Sequence, residues 1–152
     1  MESIEIVLDA REMFLKNELN KKNVVFKIEQ LPVGDIIFKH SKNQNVVLIC
    51  ERKTLCDLYS SILSGRYSEQ RKRLISSNTK ICYIIENKSN INLNQKKITI
   101  INGAILNLVL QHNIPIIPSN SVENTAELII LLQKKLKSVD DNNIDTNIII
   151  TQ

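Results

Sequence analysis

Tryptophan is absent from this chain, and three Tyr and three Phe make up the whole aromatic complement. So sparse a set gives poor support to single-strand binding by stacking bases on rings. Only three glycines and three prolines occur in 152 residues, which argues against a long disordered linker before the C-terminal end. Cys50, Cys56 and Cys82 are odd in number and form no CxxC pair, so neither a disulfide framework nor a zinc site is indicated. Cys50 and Cys82 fall in apolar runs and read as small core residues. Reduced thiols fit an intracellular protein. No apolar run reaches the roughly 18 residues that span a bilayer, so no membrane partner is expected. The first residues lack a basic segment followed by an apolar stretch, so no secretory signal is evident.

What is present is an ordinary globular balance, 43% hydrophobic and 24% charged, in a length that suits one domain with one buried core. The formal net charge of +4 permits a polyanionic partner without proving one. The placement of the positive charges says more. Arg66, Arg71, Lys72 and Arg73 crowd one segment, as expected where phosphates lie against the protein, although a solvated helix face has the same pattern.

Short β-branched runs mark strands at Ile4 to Leu8, Val24 to Ile28, Asp35 to Lys39, Val46 to Glu51, Lys80 to Glu86 and Ile114 to Ile117. Leu31-Pro32-Val33-Gly34 reads as a turn. Helical periodicity covers Ala10 to Leu19, a segment capped by Thr54, Arg66 to Ile75, Ile98 to His112 and Ser121 to Lys137. Strands first, then alternating helices and strands, predict an α/β fold: a mixed sheet of about six strands with helices on both faces. Residues 138–152 read as a polar tail ending in Ile148-Ile149-Ile150, either a docking strand or the point where a longer protein was cut.

The strand at 46–51 delivers Glu51, Arg52 and Lys53 at its end, and Asp57 follows a helical turn later. Burying these charges together is costly unless they pair or bind an ion. A hairpin can bring Asp35 beside Glu51. Two such carboxylates suit a hard divalent cation, Mg2+ or Mn2+. Lys53, two residues beyond Glu51, shares its face of the strand. There it can orient or deprotonate a water, or neutralise a phosphate. His40 and His112 stand alone and carry no assigned chemistry.

This is the pattern of the PD-(D/E)xK nucleases. The chain resembles more closely the nuclease domain of the XPF/Hef (XPF/MUS-type) structure-specific endonucleases. Gly34-Asp35 with Glu51-Arg52-Lys53 and Asp57 matches the G-D…E-R-K-x-x-x-D signature. Val7-Leu8-Asp9-Ala10-Arg11-Glu12, Ser61-Ile62, Gly65-Arg66-Tyr67, Gln70, Arg73-Leu74, Tyr83-Ile84-Ile85-Glu86 and Glu123-Asn124-Thr125-Ala126 resemble further family blocks in order. The resemblance implies a restriction-endonuclease-like fold over 1–137. It implies hydrolysis of branched, flap-like or fork-like DNA in repair or recombination, leaving 5′-phosphate and 3′-hydroxyl ends. Asp35 and Glu51 would be the chief metal ligands, with Asp9 in the acidic set. Lys53 would be the catalytic lysine, Arg52 would stabilise the acids or touch phosphate, and Asp57 would complete the site. Arg66, Gln70 and Arg73, with Arg71 and Lys72 beside them, would hold DNA.

Family members work as dimers, so a homodimer is expected, with a heterodimer as the alternative. The location expected is the nucleus or another DNA-containing compartment, a viral replication site included. No helix-hairpin-helix pattern follows Lys137, which reads as an excised domain or a minimal protein. Two other functions are compatible with these residues. One is a non-catalytic DNA-binding scaffold subunit, against which the retained acids argue. The other is a phosphodiesterase on a different substrate, such as a cyclic dinucleotide. Asp9 and Asp57 also have purely local readings as helix-capping residues.

Overall fold

A computed structural model describes residues 3–88 and 92–151, with side chains as far as Val139. Six strands form one sheet: β1 (Ile4–Asp9), β2 (Lys27–Glu29), β3 (Ile36–His40), β4 (Val46–Thr54), β5 (Ile81–Glu86) and β6 (Ile116–Ser119). Their order is β2-β1-β3-β4-β5-β6. β3 runs antiparallel to both β1 and β4, whereas β1–β2, β4–β5 and β5–β6 are parallel. The helices are α1 (Met13–Lys21), α2 (Leu55–Ser64), α3 (Arg66–Ser76), α4 (Gln95–Leu110) and α5 (Val122–Thr151). The α/β sandwich expected from the sequence is therefore present.

The pleat sorts side chains to two faces, since successive strand residues point opposite ways. Ile4, Ile6, Leu8, Ile36, Phe38, Leu48, Cys50, Cys82 and Ile84 pack with Leu15 and Leu19 of α1 and Ala126 and Ile129 of α5. Ile49, Tyr83 and Ile85 pack on the other face with Leu58, Tyr67, Leu74, Ile101 and Leu108 of α2, α3 and α4. Each buried aliphatic side chain contributes about 1.5–3 kcal/mol on leaving water, so the two layers fix the strand register. A one-residue slip would send each set to the wrong face.

Several boundaries differ from the sequence reading, each for a local reason. α1 begins at Met13 because the Asp9 carboxylate accepts the Arg11 backbone N–H and holds Ala10-Arg11 as a turn. β4 continues to Thr54 because its last residues pair with β5 through Thr54 and Glu86. α4 begins at Gln95 because the Asn94 side chain accepts the Lys97 N–H as an N-cap. α5 does not stop at Lys137; its backbone continues to Thr151, so 138–151 is helical rather than a strand. The side chains of Ile148-Ile149-Ile150 lie outside the described residues. Cys50 and Cys82 face each other across β4 and β5 as buried free thiols, with sulfurs 3.1 Å apart.

Gly34 turns the chain into β3 with φ of +79°, a region that side chains adopt only under strain. A Cβ there would also collide with the Ile49 side chain and meet the Cys50 carbonyl oxygen at 3.3 Å. The Gly34→Ala variant is expected to lose at least about 1–3 kcal/mol of stability, read from the midpoint of chemical denaturation. An unchanged midpoint would refute this requirement.

Candidate active site

The strand pairing places the acids in one row. Leu8 pairs with Ile36, and Ile36 pairs with Cys50, so the next residues at this end are Asp9, Asp35 and Glu51 on three neighbouring strands. The Asp9 N–H donates to the Asp35 carbonyl at 2.9 Å, and the Asp35 N–H donates to the Cys50 carbonyl at 2.9 Å. Face parity agrees. Leu8, Ile36 and Cys50 belong to the α1/α5 layer, which turns Asp9, Asp35, Glu51 and Lys53 toward the α2/α3 side. Neighbouring strands stand about 4.8 Å apart, so the Asp35 and Glu51 side chains are neighbours.

These residues line a cleft of about 300 Å3, whose walls also include Arg11, Gly34, Arg52, Asp57, Gln70 and Arg73. Glu51 and Lys53 are 8% and 9% exposed. The Lys53 ammonium donates to Ser61 Oγ at 3.2 Å, which fixes it beside Glu51. Asp57 sits on the exposed rim, where its backbone N–H donates to the Thr54 cap at 3.1 Å. The cap is thus Thr54, with Asp57 as the residue whose N–H it satisfies, and Asp57 also lines the cleft.

The electrostatics are those of crowded carboxylates. Burial first, and then the Asp35 charge, push Glu51 up to about 8, against the pull of Lys53. Asp35 is raised by burial, with the Arg52 backbone N–H opposing. Asp9 behaves differently. Burial raises it, but the hydrogen bonds from Arg11 and from the Leu31 N–H more than compensate and hold it below the ordinary range. Its Oδ2 takes Arg11 Nε at 2.7 Å and its Oδ1 takes the Leu31 N–H at 2.9 Å. Asp9 is thus committed to anchoring the turn before β3, and it is not the side-chain cap of α1.

Arg52 is where the geometry departs most from the sequence reading. By parity its guanidinium leaves β4 on the face away from Glu51 and Lys53. Its Nη2 donates to Glu86 Oε2 at 2.8 Å, its Nε donates to Glu86 Oε1, and its Nη1 donates to Glu12 Oε2 at 3.0 Å. The guanidinium is therefore bound by two acids other than the cleft pair, rather than held free for a phosphate. Its backbone N–H donates to Asp35 Oδ2 at 2.7 Å, and its positive charge also favours the ionised form of Asp35. Glu12, pushed up to about 7 by burial and by Asp35 against the pull of Arg52, and Glu86 were not assigned a role from the sequence. The alternation of Glu51-Arg52-Lys53 along a strand was the available signal.

The basic segment divides as well. Gln70 and Arg73 line the cleft, whereas Arg66, Arg71 and Lys72 do not. Arg73 pairs with Glu69 at 3.2 Å. Arg71 lies over the Tyr67 ring at 5.5 Å, and Arg66 Nε donates to Ser64 Oγ at 3.2 Å. Arg11, not singled out earlier, is an exposed cation on the cleft wall. Tyr67 and Tyr83 are buried against each other with ring centres 6.3 Å apart, so they are packing residues.

A family model described as the ERCC4 domain matches residues 8–132. The chain belongs to the ERCC4 domain family. The XPF/MUS-type resemblance is thereby borne out. Among curated relatives, crossover junction endonuclease MUS81 of Debaryomyces hansenii is 35% identical over 105 residues, covering 60% of this chain and 16% of that protein. The protein of the same name from Arabidopsis thaliana is 34% identical over 101 residues, covering 56% and 15%. The chain thus matches only a small part of those proteins. A solved structure titled as XPF from Aeropyrum pernix in complex with DNA superposes with a TM-score of 0.70 at 23% identity, over 91% of this chain and 66% of that one. That likeness shows the fold. Among the described residues, no helix of this ERCC4 domain is long and apolar enough to cross a membrane.

Among the described residues, no group of three or more His, Cys, Asp or Glu is placed to hold a metal. With both Asp9 oxygens hydrogen-bonded and Asp57 on the exposed rim, the paired strands present two oxygen-donor groups to the cleft, Asp35 and Glu51. That is the count that suits Mg2+ or Mn2+, ions that keep several waters and take phosphate oxygens as further ligands. The mutual repulsion that lifts Glu51 is also what a cation between the two would relieve.

The raised Glu51 has a consequence for the metal-free protein. Its folded value of about 8 exceeds the ordinary 4.5. A raised carboxyl contributes stability that is complete below 4.5 and is lost as pH rises through 8. Melting temperature without metal should therefore fall between pH 5 and 8, and fall less in Glu51→Gln. Equal slopes for the two proteins would contradict the assignment.

Proposed function

We propose that this ERCC4 domain is a metal-dependent DNA endonuclease acting on branched, flap-like or fork-like DNA in repair or recombination. The observation that carries the reading is the row of Asp35 and Glu51 on paired strands, with Lys53 on the same face of one cleft. The names of its relatives, crossover junction endonucleases, support the substrate class.

Mg2+ or Mn2+ held by Asp35 and Glu51 would polarise a phosphate oxygen and offset the charge that grows during in-line attack. The chain's own residues do the rest. Lys53, kept in place by Ser61, orients the attacking water along the cleft. Asp57 at the rim completes the acidic edge. Gln70, Arg73 and Arg11 line the approach, where Arg73 exchanges its carboxylate partner Glu69 for a phosphate of the incoming strand, while Arg11 stays on Asp9. Water bonds to phosphorus as the P–O3′ bond breaks, one proton of that water passing to solvent and the departing O3′ taking one up, which leaves 5′-phosphate and 3′-hydroxyl ends. Asp9 supports the cleft from β1 rather than binding metal. The retained acids count against a scaffold role, and no observation favours a cyclic dinucleotide. The site of action we infer is a DNA-containing compartment.

A second copy of the chain is the proposed partner. Leu106, Val109 and Leu110 form an exposed apolar stripe on α4, and Leu131 is exposed on α5. Such surface is normally covered. Sedimentation should show a dimer at micromolar concentration, and a monomer throughout would count against it.

Cleavage of labelled forks and flaps in Mg2+ or Mn2+ tests the activity. Glu51→Ala and Lys53→Ala should each slow it at least about 100-fold, with DNA binding retained. Cutting at the wild-type rate by either variant would sink the reading.

A further inference from the structure

The polar network on the α1/α5 side of the sheet lies outside the cleft, yet it ends on a cleft carboxylate. It starts where β6 runs into α5. The Ser119 and Thr125 hydroxyls are 2.8 Å apart, and Thr125 Oγ1 donates to Glu86 Oε1 at 2.6 Å. Glu86 also receives both Nε and Nη2 of Arg52. The backbone N–H of Arg52 then donates to Asp35 Oδ2 at 2.7 Å. Glu86 and Thr125 are fully buried, and Ser119 is nearly so.

We propose that Thr125 is a positioning residue for the candidate metal site, acting through Glu86 and Arg52 on Asp35 and Glu51. This inference rests on the nuclease reading above.

The physical argument is one of saturation. Thr125 has one hydroxyl proton, and it goes to the carboxylate, so Ser119 is the donor between the two hydroxyls. Ser119 Oγ also reaches the Ser121 carbonyl at 2.9 Å, so its proton is shared between two acceptors. Glu86 Oε1 thus has two donors, Thr125 and Arg52, and a buried carboxylate deprived of one of them must seek another. The nearest adjustment is a shift of the Arg52 side chain, which has its second partner in Glu12. Any rotation of the Arg52 peptide moves the N–H that orients Asp35. The same peptide sets the pleat that turns Glu51 and Lys53 into the cleft. A hydroxyl near the start of α5 is therefore tied to the Arg52 guanidinium by hydrogen bonds and, through the Arg52 side chain and its backbone N–H, to Asp35, with no contact to the cleft itself.

The decisive experiment compares wild type with Thr125→Val, which has nearly the same shape without the hydroxyl, and with Thr125→Ser, which restores it. Folding is checked by circular dichroism. Mn2+ affinity is measured by calorimetry without DNA, and fork cleavage is measured separately. Thr125→Val should weaken Mn2+ binding and slow cleavage by about tenfold, the usual scale for a partner behind a metal ligand. Exchange of the Arg52 amide proton should also accelerate. Thr125→Ser should recover all three. Ser119→Ala, one bond further from Glu86, should show a smaller loss of the same kind and serves as the test if Thr125→Val fails to fold. Unchanged Mn2+ affinity in the folded variant overturns the proposal whether or not DNA is cut. A wild-type protein that binds Mn2+ and cuts no DNA overturns the nuclease reading alone. A wild-type protein that binds no Mn2+ overturns both.

Discussion

Asp35 and Glu51 stand abreast on paired strands in the wall of one cleft, and the rest of the structure can be understood as what keeps them there. Two like charges in such a place oppose folding, which is why Glu51 is pushed up to about 8. The arrangement persists because backbone hydrogen bonds hold it from both neighbouring strands. Asp35 is pinned by β4 through its N–H and by β1 through its carbonyl. The turn that delivers it depends on Gly34, whose conformation and close approach to Ile49 leave no room for a side chain. Asp9, one strand over, uses both carboxylate oxygens to hold that turn in place through Leu31 and Arg11.

The two faces of β4 then carry different tasks from adjacent residues. Glu51 and Lys53 face the cleft, and Arg52 faces a closed set of hydrogen bonds with Glu86, Glu12 and Thr125. A buried guanidinium is tolerable only when its donors are taken up, and here two acids take them. Charges concentrated in three consecutive residues are thereby separated into a cleft-facing group and a supporting group. The sheet itself is the insulation between them.

Much of this was legible in the sequence because it depends on short-range pattern. β-branched runs and Gly34 placed the strands and the turn, and Thr54 was readable as the cap of α2, which it is. The alternation of residues 51 and 53 put Glu51 and Lys53 on one side. What escaped was set by contacts distant in sequence. Arg52 meets Glu12 and Glu86, which lie 40 and 34 residues away, so no local spacing could assign it. β2 is only Lys27–Glu29 rather than Val24 to Ile28, because its register follows from pairing with Val7, Leu8 and Asp9 of β1. Arg71 reads as a phosphate ligand by charge alone, but in the fold it lies over Tyr67.

The central claim is that Asp35 and Glu51 share one divalent ion while Asp9 does not ligate it. Anomalous diffraction at the manganese edge, from crystals of this chain grown with Mn2+, tests that directly. The account predicts one peak in the cleft, about 2.1 Å from one oxygen of Asp35 and one of Glu51, with both Asp9 oxygens still bonded to Arg11 and Leu31. A peak ligated by Asp9, or no density between Asp35 and Glu51, would contradict it.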